Sequence, residues 1–256
     1  RDILAGIDSV CLTYGLEEGA SLRGVNVRWN EGNMNLPMSR RLAELRTRID
    51  VVSEDERLGV TGRLGQLEVK ALGIHNVRNA LAACCVGLCL GLKFAHIAEG
   101  LRMYDGVRRR LQVCGEQRGV LVVEDYAHHP TEIESTVEAA RWIRPNRIIA
   151  VFQPHLFSRT KFFCEQFAAV LSKVDQAVVT DIYPSREQPM AGVDSGLIVD
   201  AARRHGAQNV QLINDMHSVP ERIAGDLKPG DMVLVLGAGS INQIAEPLLQ
   251  ELAKQS

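Results

Sequence analysis

The sequence predicts an α/β chain whose carboxyl-terminal part is a Rossmann-like, mostly parallel sheet domain. From about residue 111 onward, short apolar runs alternate with stripes of helical period. Such alternation implies parallel strands joined by right-handed helical crossovers. The runs lie near 119–124, 147–152, 176–181, 209–213 and 231–236. They are apolar almost throughout, as strands covered on both faces should be. In addition, polar clusters recur just after several of these runs, where open α/β sheets bind ligands.

In chain order, Val10–Gly15 and Leu22–Val27 read as strands. Residues 31–56 are polar and broken by Gly32 and Pro37, which predicts a long loop or a weak helix around Arg40–Thr47. Leu58–Thr61 and Gln66–Leu72 flank Gly62-Arg63-Leu64-Gly65 and predict an antiparallel hairpin. Ile74–Asn79 opens an apolar helix running from Ala80 to about Leu92, which Gly91 can end. A second helix is expected over about Ala95–Tyr104. The pattern then changes at Asp105–Arg110, a natural joint between domains. Beyond it, helical stripes fall at Ile133/Val137/Ala140, Phe163/Phe167/Val170/Leu171/Val174, Leu197/Ile198/Ala201, Val219/Ile223 and Ile244/Leu248/Leu249/Leu252.

A net charge of −2 gives no electrostatic reason to expect nucleic acid or an anionic membrane as partner. No apolar run reaches the ~18 residues of a membrane span. Arg1-Asp2-Ile3-Leu4 does not read as a signal peptide. The six cysteines form no CxxC pair or zinc spacing, so free thiols in a reducing cytoplasm are expected.

The densest polar stretch is Glu124-Asp125-Tyr126-Ala127-His128-His129-Pro130-Thr131-Glu132, between Val120–Val123 and the Ile133 stripe. An acid, a phenol and two imidazoles gather here. Thr131 with Glu134 suggests a capping box, placing the helix start near Thr131. Phe152-Gln153-Pro154-His155 with Ser158-Arg159-Thr160 follows the next run, and Thr180-Asp181-Ile182-Tyr183-Pro184 the one after. Arg159 has the planar fork suited to a carboxylate or phosphate. Gly237-Ala238-Gly239-Ser240-Ile241-Asn242 resembles a dinucleotide fingerprint without its third glycine; a helix amino terminus receiving an anion is the preferred reading. Asn76, beside His75 and Asn79, reads by itself as a helix cap next to a structural histidine. Arg108–Arg110 suggest phosphate binding.

Together, Gly73–Ala83, Gly106–Arg110, Asp125–Glu132, Phe152–His155 with Ser158–Thr160, Thr180–Pro184 and Gly237–Gly239 resemble the Mur ligase family from about residue 10 to the end. Glu124 stands where the family usually has Asp, and Leu156 where it often has Arg. The resemblance implies residues 1–105 as the carboxyl-terminal portion of a central ATPase domain and 106–256 as the Rossmann-like domain that binds the incoming amino acid. No Gly-x-x-x-x-Gly-Lys-Ser/Thr loop occurs in the 256 residues. The expectation is therefore an incomplete part of the enzyme, inactive alone, with the amino-terminal part and its Mg2+ ligands upstream and no metal ligands here.

The reaction the resemblance implies is cytoplasmic, ATP-dependent ligation of L-alanine to UDP-N-acetylmuramate through an acyl phosphate, in peptidoglycan synthesis. It implies catalytic roles for His128, Arg109 and Arg110. Asp125, Tyr126, His129, His155, Arg159 and Tyr183 would bind substrate, and His75, Asn76 and Asn79 the adenine and ribose side of ATP. Two alternatives are a family member that recycles murein tripeptides and a non-catalytic Rossmann-like binding module.

Overall fold

The computed structural model describes residues 10–30 and 33–255. The readings made at Arg1–Leu4 and Gly32 lie outside the described residues. The chain divides into two compact units, Arg1–Gly32 with Ala43–Gly106, and Asn33–Leu42 with Val107–Ser256.

The first unit holds a four-stranded sheet in sequential order: β1 (Tyr14–Gly15), β2 (Leu22–Trp29), β3 (Thr47–Ser53) and β4 (Gly62–Val69). β1 runs parallel to β2, and the other pairs are antiparallel. α1 (Met38–Glu44) precedes β3, and α2 (Ile74–Cys89) and α3 (Phe94–Met103) follow β4. Leu22, Ile49, Val51, Leu67, Leu81 and Cys84 are fully buried in one core.

Two expectations about the strands fail in this unit. The polar 31–56 stretch contains β3. Ile49 and Val51 enter the core, while Asp50, also buried, accepts hydrogen bonds from Asn26 and Gln66 and pairs with Arg28. A buried, fully engaged carboxylate made a strand look like a loop. The expected 58–72 hairpin is also wrong. Glu56–Leu58 is a 3-10 turn capped by Asp55 and closed by Gly59 at φ 74°. Gly62–Gly65 lies inside β4, whose partner is β3. Gly62 and Gly65 adopt φ 85° and 144°, so here the glycines let a strand bend through a register shift. α2 begins at Ile74 and runs to Cys89, after which Gly91 at φ 78° stops it as expected.

The second unit is built on a six-stranded sheet. Its strands are β5 (Gln112–Gln117), β6 (Val120–Asp125), β7 (Arg147–Phe152), β8 (Gln176–Val179), β9 (Val210–Leu212) and β10 (Asp231–Leu236). The spatial order is β5-β6-β10-β7-β8-β9, and every pair is parallel except β5 with β6. The α/β, mostly parallel architecture is as expected. β5 was not: its mixed Gln-Val-Cys-Gly-Glu-Gln sequence carries no apolar run, since it is an edge strand. α4 (Pro130–Arg141), α5 (Phe157–Leu171), α6 (Gly196–Arg204), α7 (Val219–Ala224) and α8 (Ala245–Lys254) alternate with the strands.

The segment 33–42 is tied to this unit by Glu116 of β5. Its carboxylate accepts from the Met38 and Ser39 backbone N–H groups at 3.3 and 2.8 Å and from the Ser39 hydroxyl at 2.6 Å. Arg41 also donates to the Ile143 carbonyl at 2.9 Å.

The last strand in sequence, β10, is central in space, between β6 and β7. The carboxyl ends of β6, β10, β7 and β8 therefore lie side by side along one edge, and the polar clusters that follow them become neighbours.

Candidate functional site

The loop after β6 is fastened by Asp125. This carboxylate is buried, and its oxygens accept from the backbone N–H groups of Leu111 and Ala127, each at 2.8 Å. Burial pushes its pKa above the ordinary carboxylate value, while the two backbone bonds and the nearby Arg110 oppose the rise. Asp125 thus pins the 109–111 joint to the histidine loop.

Arg109 serves the same assembly. At φ 61° it turns the joint sharply. Its Nη2 donates to the carbonyls of Gly237 and Gly239 at 2.7 and 3.2 Å, and its guanidinium lies 4.9 Å from the Tyr126 ring centroid. The Gly237–Asn242 loop therefore grips an arginine with its carbonyls. Gln153 fills it from another side, its Oε1 accepting from the Ile241 N–H at 3.1 Å. The smallness of Gly239 is required here, because a Cβ would lie 2.5 Å from the Tyr183 ring. Arg110 is exposed, 6.0 Å from the Tyr126 centroid and 3.9 Å from the Asp125 carboxylate.

The expected Thr131–Glu134 capping box is not the one that forms. His129 is the cap of α4, with Pro130 in the first turn and Glu132 as the reciprocal partner. Nδ1 of His129 accepts from the Thr131 N–H at 3.3 Å, and its ring meets Phe163 edge-on at 4.7 Å. An imidazole replaced the usual hydroxyl or carboxylate cap, which is why residue statistics pointed two positions downstream. Nδ1 of His128 lies 2.9 Å from the Tyr126 carbonyl and 3.2 Å from Glu132 Oε2.

After β7, Leu156 adopts φ 74°, turning the chain into α5. Tyr183 N–H donates to the Pro154 carbonyl at 2.8 Å, and Leu156 N–H to the Tyr183 carbonyl at 3.0 Å. These bonds zip the 153–156 and 183–187 loops together and stack the rings of His155 and Tyr183 at 5.7 Å. Leu156 has no side chain to cap α5. Glu187 does so from the other loop, accepting from the Ser158 N–H at 2.9 Å and from its hydroxyl.

A chain of rings, Tyr126–His128–His155–Tyr183, thereby crosses from the end of β6 to the end of β8, with adjacent centroids 5.4, 5.8 and 5.7 Å apart. Three buried polar atoms beside it have no partner among the described residues: Nδ1 of His155, Nη1 of Arg159 and Nε of Arg109. Burial, helped by Arg159 and His128, holds the His155 pKa below its ordinary value. The unit thus presents a guanidinium nitrogen and a neutral imidazole nitrogen with unspent hydrogen-bonding capacity.

Asp125, Tyr126, His128, His129, His155, Arg159, Tyr183, Arg109 and Arg110 all come together along this edge. His75, Asn76 and Asn79 belong to the first unit, at the start of α2. Asn76 does not cap the helix; Gly73 occupies that position, and the Asn76 amide donates to the Leu72 carbonyl at 2.7 Å. It also meets His75 Nε2 at 3.0 Å, while Asn79 donates to its oxygen at 3.4 Å. Gln112, Glu132, Gln153 and Glu187 received no role from sequence. Each acts on a backbone group or a neighbouring side chain, and only Glu132, three residues after the cap, left a readable spacing. Among the described residues no group of three or more His, Cys, Asp or Glu side chains is gathered to hold a metal ion. No described helix is long and apolar enough to cross a membrane.

Residues 109–239 match the family described as Mur ligase, glutamate ligase domain. A UDP-N-acetylmuramate–L-alanine ligase from Salinibacter ruber is 41% identical over 249 residues, 97% of this chain and 48% of the relative. The chain thus spans about half the length of that relative. Among solved structures, a UDP-N-acetylmuramate-alanine ligase from Thermotoga maritima superposes with a TM-score of 0.72 at 22% identity, over 96% of this chain and 48% of that one. A MurF ligase from Thermotoga maritima in complex with ADP superposes at 0.63 and 22% identity, over 96% of this chain and 49% of that one. Spanning both units with one relative, and matching the family across the residues that build the strand-end site, this chain belongs to the Mur ligase family.

Proposed function

We propose that this chain is the amino-acid-binding part, with an adjoining portion of the ATPase domain, of a cytoplasmic UDP-N-acetylmuramate–L-alanine ligase. The observation that carries the reading is the pair of buried, unpartnered nitrogens, Arg159 Nη1 and His155 Nδ1, beside the rings of Tyr183 and His128. An amino-acid carboxylate satisfies both. The guanidinium supplies a charge-assisted bond, and neutral His155 donates without adding a second charge when its Nδ1 carries the proton.

In this reading ATP is a co-substrate. The muramate carboxylate attacks its γ-phosphate, releasing ADP and leaving an acyl phosphate. The alanine amine then attacks the acyl carbonyl and phosphate departs. His128 takes a proton from the alanine ammonium so that the nitrogen has a free electron pair. Tyr126 and Tyr183 wall the site. Arg110, exposed beside Tyr126, is the guanidinium available to phosphate, because Arg109 is held in the fold by its Nη2 bonds to the Gly237 and Gly239 carbonyls. Asp125 and His129 act by holding the loops. His75, Asn76 and Asn79 serve the adenine and ribose side of ATP. Among the described residues no three His, Cys, Asp or Glu side chains are gathered to hold magnesium, and none of these roles calls on it. The protein's contribution is placement and charge stabilisation.

Arg159→Ala in the full-length ligase tests the reading. Losing a buried charge-assisted contact costs about 2–5 kcal/mol. The KM for alanine should therefore rise far more than the KM for ATP. Equal increases for the two substrates would move Arg159 out of the amino-acid site.

A further inference from the structure

His128 and His129 are adjacent, yet hydrogen bonding makes opposite demands on their rings. Nδ1 of His128 is hydrogen-bonded to the Tyr126 carbonyl at 2.9 Å, with Glu132 Oε2 an ion-pair neighbour at 3.2 Å. A carbonyl can only accept, so this nitrogen must carry the proton. Nδ1 of His129 faces the Thr131 backbone N–H at 3.3 Å. That group can only donate, so this nitrogen must keep its lone pair, and the neutral ring carries its proton on Nε2. Glu132 ties both residues down, its Oε2 also accepting from the backbone N–H of His128 at 3.0 Å and of His129 at 3.3 Å.

From this geometry we infer that the Tyr126 carbonyl locks His128 as the Nδ1–H tautomer, so that Nε2 of His128 is the proton acceptor, and that Glu132 is the positioning residue of the site: through the two backbone N–H groups it holds the His128 ring in place and confines His129 to helix capping. The identity of the proton donor, the ammonium of the amino-acid substrate, rests on the ligase reading; the tautomers do not. In the step itself, Nε2 takes one ammonium proton and the ring becomes imidazolium. The freed nitrogen pair forms the bond to the acyl carbon, and phosphate leaves with the electrons of the broken C–O bond. The nitrogen's surplus proton passes to solvent. The imidazolium keeps its Nδ1–H on the Tyr126 carbonyl, with the Glu132 carboxylate 3.2 Å away to offset its charge. The groups facing His128 are Glu132 from α4, His155 from the loop after β7 and Tyr126 from its own loop. His155, kept neutral by burial, does not oppose the new charge.

Nitrogen-15 NMR of the histidine rings in the 256-residue chain, recorded above neutral pH, reads each tautomer directly. The expected result is Nδ1–H at His128 and Nε2–H at His129. In Glu132→Gln the His128 tautomer should hold, because the Tyr126 carbonyl is unchanged, while the weaker amide acceptor on the two backbone N–H groups should shift the His128 ring signals. Nε2–H at His128 in the unaltered chain overturns the inference, and that measurement needs no variant to fold. An unchanged His128 ring in a folded Glu132→Gln chain reduces Glu132 to a cap and overturns it as well. In the full-length ligase, Glu132→Gln should lower kcat with alanine at least about tenfold, with the KM for ATP unchanged. The tautomer pattern with an unaltered kcat overturns the acceptor role while the ligase reading stands. No ligation by the unaltered full-length enzyme overturns the ligase reading and leaves the tautomers standing.

Discussion

Single residues here divide into those that spend their polar atoms on the fold and those that hold them in reserve. Asp125 and Nη2 of Arg109 are committed to backbone partners, whereas Nδ1 of His155 and Nη1 of Arg159 are not. Holding His155 neutral has a consequence for stability. Its folded pKa lies below its ordinary value of 6.5, chiefly through burial. The unfolded chain therefore binds the proton more readily, and stability must fall as acid is added. The contribution is complete above the ordinary value and is lost as pH drops through the lower, folded one. Urea unfolding between about pH 7.5 and about pH 5 should show a steeper loss for the natural chain than for His155→Gln. Parallel pH profiles for the two would show that His155 titrates alike in both states.

At the scale of elements, the site depends on helices whose amino ends are finished by residues from outside the helix. Leu156 cannot cap α5, so Glu187 reaches across from the following loop. The donors on Ser158, helped by Arg159 nearby, hold the Glu187 carboxyl below the usual carboxylate range. Glu187→Ala should remove the cap and loosen the turn that carries Arg159. The expected result is a lower urea midpoint, with faster amide exchange confined to the first turn of α5. Unaltered exchange there would show that the His155–Tyr183 zip suffices alone. Element identity in this unit was legible because β6, β7, β8, β9 and β10 are apolar runs of strand length separated by helical stripes. What stayed hidden shares one physical cause. β3 buries an acid, β5 is a polar edge and α4 is capped by a histidine, so each breaks the residue preference that reveals its kind. The site residues were legible as clusters after strands. Their division of labour was not, because it depends on partners such as Gln112 and Glu187 and on a carbonyl loop from β10, the last strand in sequence but central in space.

For the whole molecule, the two units rest on different amounts of core. Residues 107–256 contain all six strands of the larger sheet and every group of the ring chain from Tyr126 to Tyr183. At that length a unit buries roughly two-thirds of its unfolded surface, enough to fold alone. One debt remains: Glu116 and the Ile143 carbonyl would lose Ser39, Met38 and Arg41, which belong to the 33–42 segment. Glu116 can turn to water, since it is only half-buried. A chain cut to 107–256 should therefore unfold cooperatively in urea, at a midpoint below that of the same unit in the intact chain. Residues 1–104 carry a smaller sheet whose first strand, β1, is two residues long. They leave Val86, Leu90 and Leu92 exposed. Cut free, this piece should aggregate or fold loosely, as apolar surface and an unpaired sheet edge favour self-association. Cooperative unfolding by 1–104 together with a loosely folded 107–256 would invert the assignment of stability. It would then be the 33–42 segment, through Glu116, that the larger sheet cannot do without.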